Sequence, residues 1–195
     1  MLDAARQLVR ERGFNGTTTK LIAERCELSE ATLFWYFQSK DEIFTSLLFE
    51  GIDFMARGLA AVGQSGAPAA EKLGRLWAFF GDLREEHPEY FHVFTSLAHP
   101  QATSAVHGEV KAEIARRSGD NFRRLVELLG EVVGAKDARL AADLLWGAFV
   151  GLVVLRDSRA NLGAKAHPSA PELRRAFGLL LGGLAPAAGG TGGKR

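Results

Sequence analysis

The sequence predicts an all-α protein of eight or nine helices, and three observations carry the prediction. Strand-like alternation is almost absent along the 195 residues. Apolar residues recur at three- and four-residue spacing nearly end to end. Pro88, Pro100, Pro168 and Pro171 stand where helices should stop or begin. With 47% apolar and 24% charged residues, the chain suits a packed globular protein of one or two domains.

The first helix sets Leu2, Ala5, Leu8 and Val9 on one face, with Asp3, Arg6, Arg10 and Glu11 elsewhere. Gly13 should end it, and Gly16 should lie in the turn beyond. The run Thr17 to Thr19 caps a second short helix that carries Ile22, Ala23 and Cys26 inward. Ser29 caps a third helix, residues 30 to 37, with Leu33 and Phe37 as its inner pair. Beyond the break Gln38-Ser39-Lys40, the acidic Asp41 and Glu42 suit the positive end of a fourth helix, which runs to about Val62. Residues 63–68 (GQSGAP) form a flexible connection. Further helices are expected at about 69–86, 89–98, 103–133, 137–160 and 169–184, and the Gly-rich end, 186–195, is expected to be disordered.

Composition narrows the function classes. A net charge of +1 gives no global basic field, so any contact with nucleic acid must come from a local surface. The single cysteine, Cys26, leaves no disulfide framework and suits a cytoplasmic location. Met1 to Gly13 is charged and amphipathic, unlike a secretion signal. The most apolar run, Leu144 to Leu155, spans about 18 Å as a helix against a hydrocarbon core of ~30 Å, so it reads as a buried helix and no membrane partner is expected. Five histidines show no close metal-ligand spacing, and the di-iron pattern Glu-x-x-His occurs once, at Glu89 and His92. No strand carries a Gly-rich phosphate loop. A non-enzyme with no metal and no cofactor is expected.

Three short helices within forty residues, two of them joined by a tight turn, have the geometry of a DNA-reading unit. Ala23 is small enough for the second and third helices to cross closely, and Leu28 is expected to anchor the turn in the core. Ser29 fixes the first turn of the third helix and leaves its amides open to a phosphate. Glu30, Ala31, Thr32, Phe34, Trp35 and Tyr36 point away from the core. A bare solvent face should be charged, so three adjacent aromatics point to a partner. A purely structural bundle, or an interaction module that never touches DNA, is the alternative.

The runs Leu2-Asp3-Ala4-Ala5, Gly13-Phe14, Thr17 to Ala23 (TTTKLIA), Ser29 to Phe37 (SEATLFWYF) and Ser39-Lys40 resemble the TetR family of bacterial repressors over residues 2 to about 48. Beyond residue 50 only His87-Pro88-Glu89-Tyr90-Phe91 and the overall length are similar. The resemblance implies a DNA-binding domain at 1–45 with its helix-turn-helix at 18–37, then a helical effector-binding and dimerisation domain at 46–185. It implies DNA contacts by Thr18, Lys20, Ser29, Glu30, Ala31, Thr32, Phe34, Trp35, Tyr36 and Lys40. Lys20 would reach a phosphate or a guanine edge, Glu30 to Thr32 would face bases, Trp35 and Tyr36 would lie on the backbone or a base edge, and Lys40 would pair with a phosphate.

Four departures from the family pattern bear on this. Glu27 stands where glycine is usual in the turn, and a positive φ there costs about 1 kcal/mol. Phe34 replaces a tyrosine and its phosphate hydrogen bond. Glu30 is acidic on the DNA face, tolerable if it accepts from a cytosine amino group or turns aside. The first helix starts at residue 2, without the basic N-terminal arm often seen in the family, so residues 1–40 hold six basic side chains (Arg6, Arg10, Arg12, Lys20, Arg25, Lys40) and five acidic ones (Asp3, Glu11, Glu24, Glu27, Glu30), a weak footprint. A basic arm ahead of Met1 is therefore expected to raise operator affinity.

In the C-terminal half, Gly147 and Gly151 open a groove among large apolar residues, where another helix can approach. With the last helix, this gives an expected homodimer interface of Leu144, Gly147, Ala148, Gly151, Leu155, Leu173, Phe177, Leu180 and Leu181. Trp77, Phe80, Phe91, Phe94, Leu125 and Trp146, with His92, His107 and Asn121 as polar contacts, are candidates for an effector pocket. An interior so rich in aromatics suits an apolar or planar effector. The expected function is a repressor released from its operator by such a molecule.

Overall fold

The computed structural model describes residues 1–96 and 107–184, the side chains of Val93, Ser96, Ala170 and residues 181–184 excepted. Its helices are α1 (Leu2–Gly16), α2 (Thr19–Arg25), α3 (Glu30–Tyr36), α4 (Lys40–Gly63), α5 (Ala69–Glu86), α6 (Pro88–Ser96), α7 (Gly108–Val133), α8 (Ala138–Asn161) and α9 (Ala170–Leu184). No strand occurs among the described residues. The chain is all-α, as its periodicity predicts. The expected disordered end, 186–195, and the start of the helix expected from 103 lie outside the described residues.

Two compact units divide the chain. Residues 1–57 and 82–119 form one, and 58–81 with the chain from 120 onward form the other. The first unit thus takes in α6 besides the segment 1–45. In it, Ala4, Ala5, Leu8 and Val9 of α1, Ile22 and Ala23 of α2, Leu33 of α3 and Ile43, Phe44 and Leu47 of α4 form one buried cluster. Each large side chain there contributes about 1.5–3 kcal/mol through removal from water. A second cluster centres on Leu48 and Ile52, with Phe49, Phe94 and Ile114 packed on it.

In the second unit the core is aromatic. The indole of Trp77 stacks on Phe177 at 5.4 Å and meets Phe149 edge-on at 5.5 Å, while Phe80 packs on Trp146 and Phe149. The Trp77 N–H donates to the buried Leu173 carbonyl at 2.7 Å, which removes the penalty for burying that donor. Helix α8 buries Ala138, Ala141, Ala142, Leu145, Phe149 and Val153 at helical spacing. It extends past the apolar run to Asn161, which makes it long and apolar enough, by length and composition alone, to cross a membrane. Its opposite face leaves Leu140, Leu144, Val154 and Leu155 about half exposed or more.

One helix end differs from expectation. Gly13 adopts φ +71° and kinks α1 without ending it, and the chain winds on to Gly16. The kink frees the Gly13 carbonyl from the helical ladder, and the fully buried Thr17 hydroxyl donates to it at 2.9 Å.

Candidate nucleic-acid interface

Three consecutive threonines do three different things. Thr17 closes the end of α1. Thr18 caps α2, its side chain accepting from the Leu21 amide at 3.2 Å. Thr19, not singled out by the sequence, donates its hydroxyl to Glu30 Oε1 at 2.8 Å and so ties the start of α2 to the start of α3.

The turn between these helices ends α2 by a Schellman motif. The Leu28 amide donates to the Ala23 carbonyl at 2.9 Å and the Glu27 amide to the Glu24 carbonyl at 3.1 Å. Glu27 sits at the left-handed position with φ +56°, the sole non-glycine with positive φ among the described residues. Ser29 then caps α3, accepting from the Thr32 amide at 3.0 Å and pairing with the Thr32 hydroxyl at 2.8 Å. Leu33 is fully buried and aims α3 at the core, whereas Leu28, expected to anchor the turn in the core, is 37% exposed.

The rest of α3 faces outward. Trp35 is 90% exposed, Tyr36 66% and Phe34 45%. Glu30 and Ala31 are exposed beside them, Thr32 is half-buried, and Lys20 is exposed on α2 with Glu24 at 3.9 Å. Thr18, Lys20, Glu30, Ala31, Phe34, Trp35 and Tyr36 are thus exposed on the two neighbouring helices of the helix-turn-helix. Lys40 differs. Its ammonium donates to the Phe14 carbonyl at 3.0 Å and lies over the Phe14 and Phe44 rings, and burial lowers its pKa. It fastens α4 to the end of α1.

Most of the other basic residues are engaged within the first unit as well. Arg25 grips Glu11 with two bonds of 2.6 and 2.8 Å, and Arg6 bonds Asp3 and Glu50. Arg10 reaches from α1 to α6, where it donates to Glu89 at 3.1–3.2 Å and to the Glu86 carbonyl. Glu89 is 1% exposed, and its other oxygen lies 3.4 Å from His87 Nδ1. Tyr90 donates to Glu50 at 3.4 Å, and its ring stacks with His87. The phrase His87-Pro88-Glu89-Tyr90-Phe91 therefore marks the seam of α6 with α1 and α4, and nothing in the phrase itself announces that Glu89 is buried or that Arg10 pairs with it. Glu89 is committed to that pair, and no group of three or more potential metal ligands occurs among the described residues.

The C-terminal candidates separate by exposure. Leu144, Gly147, Gly151 and Leu155 are exposed and Ala148 and Leu180 half-buried, and a groove is lined by Asp143, Leu144, Leu145, Gly147, Ala148, Leu179 and Leu180. Leu173 and Phe177 are instead core residues, held under Trp77, which corrects their assignment to the dimer face. The Leu181 side chain lies outside the described residues. Leu140, Val154 and Leu179, exposed on the same helices, were missed because helical spacing alone does not say which apolar face stays uncovered. Of the pocket candidates, Trp77, Phe80, Asn121, Leu125 and Trp146 belong to the second unit and Phe91, His92, Phe94 and His107 to the first. Trp77, Phe80, Phe91, Asn121 and Leu125 are buried and Phe94, His92 and Trp146 partly so, while His107 is exposed, which corrects its placement in a pocket wall.

A helical chain opening with a capped helix-turn-helix, its second helix dressed in exposed aromatics, belongs to the class of helix-turn-helix proteins. Residues 1–47 match the family described as bacterial regulatory proteins, tetR family. A curated relative, the uncharacterized HTH-type transcriptional regulator YvkB of Bacillus subtilis (strain 168), is 48% identical over 48 residues, which span a quarter of this chain and a quarter of that protein. Among solved structures, the transcriptional regulator FadR of Bacillus subtilis in complex with stearoyl-CoA has a TM-score of 0.65 at 19% identity, over 94% of this chain and 95% of that one. AibR in complex with isovaleryl coenzyme A and operator DNA has a TM-score of 0.65 at 21% identity, over 91% and 94%. At these identities the likeness is one of fold.

Proposed function

We propose that the chain is a cytoplasmic, homodimeric transcriptional regulator of the tetR family that represses from an operator and is released by a small apolar or aromatic effector. The observation that carries DNA binding is the outer face of α3, where Phe34, Trp35 and Tyr36 stand 45–90% exposed on a helix capped by Ser29. Solvent gives no reason for that face, whereas the major groove of a duplex admits a helix of this kind. Thr18, Lys20, Ser29 and the outer residues of α3 contact DNA, and Lys40 supports the bundle beneath them. The exposed strip Leu140, Leu144, Gly147, Gly151 and Leu155 on α8 is the surface for a second copy. A second copy explains an apolar face on α8 better than a bilayer does, because the other face is packed in the second unit. The effector class is supported by the aromatic interior; the coenzyme A thioesters named with the similar structures share with it only an apolar acyl part.

The test is a titration of the purified chain into duplexes covering the DNA beside its own coding sequence, at two salt concentrations. Site-specific binding that weakens steeply with salt is expected. Trp35→Ala with Tyr36→Ala should abolish it while the dimer stays folded. Retained binding by that variant would refute the site, and the absence of salt-sensitive binding to any duplex would refute the function.

A further inference from the structure

We infer that Glu30, held in place by Thr19, is a base-specificity residue that selects a cytosine in each half-site by accepting a hydrogen bond from its exocyclic amino group. This rests on the DNA-binding reading above and adds which base the acidic position reads.

A carboxylate on a DNA-facing helix needs a reason, since it approaches a dense row of phosphates. Glu30 is exposed and opens α3, followed by the exposed Ala31. It makes no ion pair with Lys20, whose ammonium instead lies 3.9 Å from Glu24. Its one recorded partner is the Thr19 hydroxyl, which donates to Oε1 at 2.8 Å. That bond fixes the side chain across the two helices of the reading unit. It also occupies one carboxylate oxygen and leaves Oε2 open.

An ionised carboxylate accepts only, so Oε2 can be satisfied only by a donor. The major groove offers two, adenine N6–H and cytosine N4–H. Adenine places its N7 acceptor next to that donor, so a carboxylate set against it faces a repulsive lone pair. Cytosine presents its amino group with no acceptor on the same base. A carboxylate with one oxygen already engaged is therefore matched to cytosine. Guanine and thymine present acceptors at the corresponding edge and are rejected.

The Thr19 bond makes a sharper prediction possible. In Glu30→Gln, Oε1 still accepts from Thr19 and the amide nitrogen takes the place of Oε2. The open group then changes from acceptor to donor, and preference should move from cytosine to bases that present an acceptor. Thr19→Val removes the hydroxyl and lets Glu30 swing, whereas Thr19→Ser keeps it.

The experiment selects binders from a random-sequence duplex library with the full chain, then measures affinity for duplexes changed only at the position that depends on residue 30. The parent chain should enrich cytosine at one position per half-site, with about tenfold weaker binding when that base pair is replaced. Glu30→Gln should lose the cytosine and gain an acceptor-bearing base at the same position. Thr19→Val should flatten the preference there and leave the other positions of the consensus unchanged, and Thr19→Ser should restore it. If the parent and Glu30→Gln select the same consensus, the inference is wrong even though DNA binding stands. If Thr19→Val keeps full cytosine preference, the positioning role of Thr19 is wrong. If the parent chain selects nothing from the library, the DNA-binding reading fails with it, a result distinct from an unchanged consensus.

Discussion

Replacing Glu27 by glycine should stabilise the protein, and the structure supplies the size of the effect. Glu27 is the left-handed residue of the turn between α2 and α3, at φ +56°, and the two Schellman hydrogen bonds around it at 2.9 and 3.1 Å hold it there. For a residue with a Cβ that conformation costs about 1–2 kcal/mol, and for glycine essentially nothing. Glycine also gains freedom in the unfolded chain, which offsets roughly 0.5–1 kcal/mol of the benefit. The net expectation is a gain of about 0.5–1 kcal/mol, or roughly 2–3 °C in melting temperature for a chain of this size. Glu27 also places a negative charge just past the negative end of α2, so part of any gain is electrostatic. Glu27→Ala separates the two effects, because it removes the charge and keeps the Cβ. Thermal melting followed by circular dichroism should rank Gly above Ala. Equal stabilities for the two variants would refute the claim that backbone strain is stored at this turn.

Arg10→Met leaves the buried Glu89 with only His87 beside it, and should cost about 2–3 kcal/mol by denaturant titration, below the fully buried range because Arg10 is half exposed. The double variant Arg10→Met, Glu89→Gln should recover much of that loss. Glu172, held at a pKa of about 2 first by the Ser169 hydroxyl and also by the Ser169 amide, accepts from both and ties down the start of α9. Its folded pKa lies below its ordinary 4.5, so its contribution is complete above about pH 4.5 and disappears as pH falls toward 2. Melting temperature should fall over that window, and Glu172→Gln should flatten the fall. Leu144→Glu with Leu155→Glu should convert the dimer to folded monomers in sedimentation velocity, and unchanged dimerisation would refute the assigned face.

Helix order was legible in the sequence because each start carries its own chemistry. Ser29 and Thr18 announce α3 and α2 by their capping oxygens, and the spacing of Leu8, Val9, Ile22 and Leu33 defines one core without knowledge of the fold. The strain at Glu27 was legible too, but through the resemblance: glycine is usual at that place in the family's turn, and a glutamate stands there. What could not be read depends on long-range meetings. That Thr19 reaches Glu30, eleven residues away, that Arg10 reaches Glu89, and that Lys40 turns back to the Phe14 carbonyl follow from helix crossings that no periodicity encodes. Leu173 and Phe177 show the same limit. Both have the composition of an interface, and only the packing of Trp77 on them shows that they are core.

Charge explains why such a chain should act in pairs. Arg6, Arg10 and Arg25 are held by acidic partners within the first unit, and Lys40 by a backbone carbonyl. Few cations remain to neutralise phosphates, and counterion release is the main source of sequence-independent affinity. One protomer would then hold DNA weakly and depend on base-edge and aromatic contacts from α3. Two protomers joined through α8 double those contacts, and the second engagement is intramolecular, so affinity rises without any new basic residue. A weak basic footprint and an exposed apolar face on α8 are thus two consequences of one arrangement. On the proposed function, a single copy would hold DNA poorly anywhere, and a pair would become effective where two matching half-sites lie at the right separation.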